Sequence, residues 1–142
     1  PKLILSGRNI NNNVVHDFYF KIKEVLKKQN IKKKNRVLFI GASFKENCND
    51  IRNSKVIELA ELLNNQYKIY LFDPYVDFKH LKKNTKCKVI NKFENEKFSS
   101  IIIANKHDYI KYLGLKKLKR SLRKDGLILD LKNIFELYNN LL

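Results

Sequence analysis

Cysteine is scarce in this chain, and the two that occur argue against the usual structural roles of the residue. Cys48 and Cys87 lie far apart in the sequence, and neither has partners at the spacing that metal ligands show. The sequence therefore predicts neither a disulfide framework nor a zinc site. It indicates a reducing, cytoplasmic setting.

Long hydrophobic runs are also missing. No apolar stretch approaches the roughly 20 residues that a helix needs to cross a bilayer. The residues after Pro1 lack the charged-then-apolar order of a secretory signal peptide, so we expect no association with a membrane. The chain begins at proline instead of methionine, which fits a piece of a longer polypeptide.

Acidic residues are few: 14 Asp and Glu face 30 Lys and Arg, which gives a formal net charge of +16. Such an excess raises the possibility of a basic nucleic-acid-binding module. The lysines are spread along the chain among abundant asparagine and isoleucine, a bias typical of A+T-rich genomes, so we interpret most of the charge as solvated surface. No recognition-helix or RNA-binding motif is present, and the nucleic-acid module stays an alternative.

Apolar residues recur with helical or strand periodicity along most of the chain. A length of 142 residues with 44% hydrophobic content fits one domain with a single core. Alternating strands and helices predict an α/β, Rossmann-like three-layer domain with a mostly parallel sheet, preceded by an amphipathic helix. The predicted helices are 13–29, 56–63, 78–83, 115–123 and 134–141, and the predicted strands are 36–40, 68–72, 87–90, 100–104 and 127–131.

The segment between the first predicted strand and the next helix has the layout of a strand-loop-helix phosphate site. A dinucleotide fingerprint would need three glycines there, but only Gly41 is present, with Ser43 and Glu46 at the other two places. This argues against a nicotinamide dinucleotide bound in the usual way. Lys45 offers a cation and Phe44 a flat apolar face, a pair suited to a nucleotide, although a loop lysine in so basic a chain can also be simply solvated.

The second half of this loop carries Asp50, Arg52 and Ser54. A cation near a helix start opposes the helix dipole, so we expect Arg52 to need a carboxylate or carbonyl partner inside the fold. Asn53 and Ser54 are both suited to cap the next helix. We interpret these residues, with Gly41, as structuring the loop.

Two further residues invite a chemical role. Asp73 ends the second predicted strand, where dinucleotide folds place a ribose-binding acid, but without the glycine fingerprint we interpret it as a turn residue. His107 precedes Asp108 after a later strand, and no third partner is evident in the sequence. We therefore expect a structural or surface histidine.

Several of these motifs occur together in one known family. The segment GASFKENxxDxRNSK from Gly41, followed by FDPYVD from Phe72, resembles the carboxy-terminal domain of the UDP-glucose/GDP-mannose dehydrogenase family. The segments IIIANKHDY from Ile101 and LDLKNIF from Leu129 resemble the last two strands of that domain, and SGRNIN from Ser6 resembles the end of the central helical region. The resemblance thus covers nearly the whole chain, in order, and looks closest to enzymes acting on UDP-N-acetylhexosamines.

The resemblance implies a parent enzyme that oxidises the sugar C6 alcohol to a carboxylate with NAD, through a thioester on a cysteine. The family places that cysteine in a Cys-Phe-Pro-Lys-Asp setting, which has no match here, and Cys48 and Cys87 are expected to be bystanders. The NAD-binding domain is also missing. This chain alone is expected to be inactive and to bind no NAD.

The resemblance also assigns parts and partners. Residues 1–30 would be the end of the central helical region with a linking helix, and residues 31–142 a Rossmann-like UDP-sugar-binding domain. Phe44 and Lys45 match residues that contact the UDP-sugar, and Lys132 matches a basic residue on the nucleotide side. The implied partners are the amino-terminal and central domains and, in the parent, a second copy in a homodimer, with products used for capsule and other surface polysaccharides. An assembly role for the first helix is a third hypothesis.

Overall fold

The computed structural model describes residues 12–43, 45–105 and 107–132. The segment from Ser6 that resembles the end of the central helical region and the predicted helix 134–141 lie outside the described residues. The elements in chain order are α1 Asn12–Lys28, β1 Arg36–Ile40, α2 Lys55–Asn64, β2 Lys68–Phe72, α3 Phe78–Lys83, β3 Lys88–Val89, β4 Phe98–Ile103, α4 Asp108–Leu113, α5 Leu115–Arg120 and β5 Leu122–Asp130.

The five strands form one parallel sheet in the order β3-β2-β1-β4-β5. Strand β1 lies at its centre, and Val37 to Ile40 are fully buried because both faces of the sheet are covered. One apolar cluster lies between the sheet and helices α1 and α2. A second cluster packs the opposite face against α4 and α5. The predicted Rossmann-like three-layer architecture is confirmed.

Helix α1 shows why the sequence forms this layer. Val15, Ile22, Val25 and Leu26 recur three, four or seven positions apart and are at most 1% exposed, so one stripe of the helix faces the core. The helix packs against α2. No helix among the described residues is long and apolar enough to span a bilayer.

Three bounds near the end of the described chain differ from the prediction. Helix α4 was not predicted, because its six residues offer little periodicity before Gly114, whose φ of 83° separates it from α5. The predicted helix 115–123 instead ends at Arg120, since the Phe98 N–H donates to the Ser121 carbonyl (2.8 Å) and Leu122 pairs with Phe98. Strand β5 therefore starts early, with a register shift between Phe98 and Ser100.

Gly41 is required where β1 ends. Its φ of 106° is unfavourable for other residues, and an added Cβ would lie 2.4 Å from the Cβ of Asn105 and 2.8 Å from its backbone nitrogen. The backbone at the end of β1 thus lies directly against Asn105, the second residue after β4. The loop after β1 and the segment after β4 begin in contact.

Gly114 supplies a matched control, because it also has a positive φ but no atom within 4 Å of an added Cβ. We expect Gly41→Ala to lower the free energy of unfolding more than Gly114→Ala, by about 1–3 kcal/mol from overpacking alone. Urea unfolding followed by far-UV circular dichroism measures both. Equal losses in the two variants would contradict the close approach to Asn105.

Candidate functional site

The site lies at the carboxyl ends of β1, β2 and β4. In the sheet, β2 lies on one side of β1 and β4 lies on the other. The strand order therefore reverses between β1 and β4, and the loops that follow these two strands lead away in opposite directions. Open parallel sheets bind ligands in such a crevice. The Gly41 N–H donates to the Phe72 carbonyl and the Ala104 N–H to the Ile40 carbonyl, both at 2.8 Å, which aligns the three strand ends.

Asp73, directly after β2, is the buried acid of this edge, at 6% exposure. Its Oδ2 accepts hydrogen bonds from the Ala42 N–H (2.8 Å) and the Ser43 N–H (3.1 Å), and its Oδ1 accepts one from the Tyr75 N–H (2.9 Å). The Tyr75 bond is the turn role that the sequence predicts. The other two bonds fasten the start of the β1–α2 loop.

The same carboxyl group is held in its charged form. Burial acts most strongly on its pKa and would raise it, but the hydrogen bond from His107 and those from the backbone at Ala42 and Tyr75 act in the opposite direction. The pKa of Asp73 is lowered from its ordinary value as the net result. The carboxylate is therefore an anchor inside the fold, because both of its oxygens already accept hydrogen bonds from the protein.

His107 is fully buried beneath this loop. The backbone N–H of Asn47 donates to its Nδ1 at 2.8 Å, and its Nε2 lies 2.8 Å from Oδ2 of Asp73. A nitrogen that accepts from an amide carries no hydrogen, so Nε2 carries the ring proton and donates it to Asp73. The ring of Tyr75 covers the imidazole at 4.7 Å between centroids. His107 is thus a neutral, structural histidine in the interior.

The nearness of Ser43, His107 and Asp73 does not make a nucleophilic triad. In such a triad the acid and the nucleophile bind opposite ring nitrogens. Here Oγ of Ser43 lies 3.3 Å from Nε2, the nitrogen that also faces Asp73, and Nδ1 is used by Asn47. The Ser43 hydroxyl donates to the Lys45 carbonyl at 2.7 Å and is fully buried, so it serves the loop.

We call residues 43–47 the site loop; Phe44 within it lies outside the described residues. Asn105 holds this loop from the β4 side, because its Nδ2 donates to the carbonyl of Ser43 (2.9 Å) and, more weakly, to that of Lys45 (3.4 Å). The Asp108 N–H donates to Oδ1 of Asn47 at 2.8 Å. The side chain of Lys45 is exposed at the carboxyl edge, above a backbone that is held at both ends.

The second half of the β1–α2 loop is organised separately. Arg52 donates from Nε (3.0 Å) and Nη2 (2.8 Å) to the carboxylate of Asp50, two positions earlier, and this pairing lowers the pKa of Asp50 to about 2. The Arg52 side chain is 86% exposed, so its partner lies in the same turn and not deeper in the fold. Ser54, not Asn53, caps α2: its Oγ accepts from the Ile57 N–H and donates to the Ala42 carbonyl.

Lys132 follows β5 by two residues and is half-buried. Because β5 runs parallel to β4, its carboxyl end places Lys132 on the same edge of the sheet as Lys45. The fold thus brings both predicted basic contacts to one edge. Gly41 lies at the root of the site loop.

The two cysteines lie apart from this geometry. Cys48 is partly exposed beside the loop, and its sulfur accepts from the Asp50 N–H. Cys87 is buried just before β3, and burial raises the pKa of its thiol to about 11, which keeps it protonated at neutral pH. Within the described ranges, no group of three metal-binding side chains comes together.

The sequence predicted the loop but not the cluster beneath it, which joins Asp73, His107, Asn105 and Asn47. These residues are far apart in the chain: the Asn47–His107 bond spans 60 positions and the Asp73–His107 bond 34. A signal was present, since polar residues directly follow the carboxyl ends of two buried strands. Parallel strands that end together bring such residues into contact.

The Asp73 anchor predicts a specific acid sensitivity. A carboxyl group whose pKa is lower in the folded than in the unfolded state stabilises the fold above its ordinary pKa of 3.8, and this contribution is lost as the pH falls through the folded value. We expect Asp73→Asn to be less stable than wild type at neutral pH, by about 1–3 kcal/mol, because its amide cannot accept from all the same donors. Its stability should also fall less steeply below about pH 4 than that of wild type.

Urea unfolding at a series of pH values measures both effects. Asp17→Asn, which removes an exposed carboxylate from α1, controls for the change in net charge. The anchor role would be wrong if Asp73→Asn and Asp17→Asn lost stability in parallel on acidification.

Comparison with known proteins agrees with this geometry. The chain is 30% identical over 136 residues to UDP-N-acetyl-D-glucosamine 6-dehydrogenase of Salmonella typhi, an alignment covering 94% of this chain and 32% of the relative. It is 31% identical over 137 residues to Protein CapL of Staphylococcus aureus, with coverages of 94% and 32%. The chain spans about a third of the length of the curated relatives it matches.

Solved structures show the same fold. The structure of UDP-D-ManNAc dehydrogenase from Pyrococcus horikoshii superposes with a TM-score of 0.64 at 25% identity, covering 80% of this chain and 26% of that one. The UDP-N-acetyl-mannosamine dehydrogenase Cap5O from Staphylococcus aureus gives a TM-score of 0.63 at 21% identity, covering 89% and 32%. The comparisons give no support for the nucleic-acid-binding alternative.

The family model described as the UDP binding domain of the UDP-glucose/GDP-mannose dehydrogenase family matches residues 38–137, from the middle of β1 to beyond β5. That range includes the site loop, the Asp73–His107 pair and Lys132. The chain therefore belongs to the UDP-glucose/GDP-mannose dehydrogenase family and contains its carboxy-terminal UDP-binding domain.

Proposed function

We propose that this chain is the UDP-gripping part of an NAD-dependent 6-dehydrogenase that converts a UDP-N-acetylhexosamine to the corresponding uronate. The observation that carries the proposal is the site loop, which is fastened by buried polar contacts and leaves Lys45 exposed at the carboxyl edge of a family UDP-binding domain. Because the backbone of this loop is already held, binding of a ligand to Lys45 has to order only the lysine side chain.

The chemistry of the ligand suits this edge. A nucleoside diphosphate sugar carries its negative charge on the diphosphate, and Lys45 and Lys132 provide cations on the same side of the sheet. The net charge of +16 adds a long-range attraction for such an anion. Phe44 remains the predicted apolar contact next to Lys45.

NAD does not fit the described residues in the manner of a dinucleotide fold. That manner needs a free acid after β2 to bind the ribose. Asp73 occupies this place, but it is buried and accepts from backbone amides and His107. The NAD-binding unit and the reactive cysteine are therefore assigned to other parts of the parent polypeptide.

The name of the Salmonella relative supports the choice of sugar, since that protein is a UDP-N-acetyl-D-glucosamine 6-dehydrogenase. The uronate product would serve capsule or other surface polysaccharides, and the enzyme would act in the cytoplasm. Residues 1–30 would continue a central helical region, with residues 31–142 as the UDP-sugar domain. In the parent, that region would form a homodimer, and Phe20 on α1, 61% exposed, is available to it.

Ligand binding tests the proposal directly. Isothermal titration at ligand concentrations up to the millimolar range should show binding of UDP-N-acetylglucosamine and UDP, with GDP at least about tenfold weaker. Lys45→Ala should weaken UDP binding by about tenfold, because a charge-assisted contact to phosphate is lost. Lys132→Ala should act in the same direction.

Lys33→Ala serves as the matched control, since Lys33 is an exposed loop lysine that precedes β1 and therefore lies at the opposite, amino-terminal edge of the sheet. Its affinity for UDP should equal that of wild type. Equal affinities for UDP and GDP, or an equal loss in Lys33→Ala and Lys45→Ala, would count against the site.

A second test concerns the parent polypeptide. We expect the complete coding sequence to contain a glycine-rich strand-turn-helix for NAD and a cysteine in a Cys-Phe-Pro-Lys-Asp setting. The complete protein should form NADH when supplied with NAD and UDP-N-acetylglucosamine, whereas the present chain should not. A complete coding sequence without either feature would refute the dehydrogenase assignment.

A further inference from the structure

We propose that His107 is a positioning residue: its neutral imidazole, oriented by Asp73, clamps the site loop in the shape in which Lys45 meets the diphosphate. This inference rests on the proposed function for the identity of the ligand. The clamp itself rests on the contacts of the ring. No part of His107 is exposed, so it acts on the ligand through the loop.

The clamp closes at Asn47. The Asn47 N–H donates to Nδ1 of His107, and the Asn47 side-chain oxygen accepts from the Asp108 N–H, each at 2.8 Å. Asn47 is therefore bound on both sides to the segment that follows β4. Its φ of 56° is in the left-handed region, which asparagine adopts more readily than most non-glycine residues, so the residue type suits the turn that these bonds hold.

The orientation of the ring is set from the other side. The Asp73 carboxylate, fixed by backbone amides including those of Ala42 and Tyr75, accepts the hydrogen on Nε2. With that hydrogen committed, Nδ1 is left as the acceptor that Asn47 requires. A change at Asp73 would thus reach Lys45 through the ring and the loop.

The consequence is an affinity for the UDP-sugar that depends on the hydrogen bond between Asn47 and His107. UDP-N-acetylglucosamine is the appropriate probe, because it carries the diphosphate that Lys45 is proposed to meet.

Two variants separate positioning from folding. His107→Gln keeps an oxygen to accept from Asn47 and an N–H group to donate to Asp73. His107→Phe keeps a buried ring and removes both hydrogen bonds. Far-UV circular dichroism and urea unfolding establish that each variant is folded before binding is measured.

The first measurement needs no ligand. Nitrogen-15 NMR of the imidazole at pH 7.5 should show a hydrogen on Nε2 and none on Nδ1. The hydrogen-exchange protection factor of the Asn47 amide should fall at least about tenfold in His107→Phe, and it should stay at the wild-type value in His107→Gln.

The second measurement is the Kd for UDP-N-acetylglucosamine. It should rise about tenfold in folded His107→Phe, matching the loss of one hydrogen bond that orders the loop. His107→Gln should bind within about threefold of wild type, because it restores that bond.

The outcomes distinguish the positioning role of His107 from the proposed function of the chain. A hydrogen on Nδ1 at pH 7.5, or wild-type affinity in folded His107→Phe, would overturn the positioning role. The same holds if folded His107→Gln keeps the protection of the Asn47 amide but loses as much affinity as His107→Phe. If the ring state and Asn47 protection behave as expected but wild type binds no UDP-sugar, the clamp stands and the proposed function falls.

Discussion

The carboxylate of Asp73 is a buried negative charge, and the shape of the site depends on the hydrogen bonds that this carboxylate accepts. An uncompensated buried charge costs several kcal/mol, so the donors around it must close together. They come from three segments: amides at Ala42 and Ser43 after β1, the Tyr75 amide after β2, and the ring of His107 after β4. One group thereby joins three strand ends and fixes the root of the site loop.

The same interaction decides which chemistry this edge can offer. In a dinucleotide fold the acid after the second strand faces a ribose, but here it faces the protein. The glycines that would bring a pyrophosphate onto the backbone are replaced, and Gly41 is kept for the close passage against Asn105. What remains for a ligand is a fastened loop with an exposed cation. This edge therefore lacks the features with which a dinucleotide fold binds its cofactor, and the ligand proposed for it is the nucleotide end of a sugar nucleotide.

Much of the fold was predictable because local periodicity and burial agree. Strands β1 and β2 and helix α3 have the predicted bounds, and Ser54 was one of two predicted caps for α2. The prediction was wrong where tertiary pairing overrides local pattern. Leu122 continues the spacing of the preceding helix, but its pairing with Phe98 places it in β5. Strand β3 is shorter than predicted, and α4 is too short to show a period.

The sequence by itself determined the order of strands and helices, the loss of the glycine fingerprint and the presence of Lys45 in the loop after β1. These depend on residues that are neighbours in the chain. Only the tertiary structure decided that Asp73 is an anchor, that His107 is neutral and buried, and that Asn47 is bound to it across 60 positions. The physical reason is that the role of a buried polar group depends on its hydrogen-bond partners. These partners come together only when the parallel strands end at one edge of the sheet.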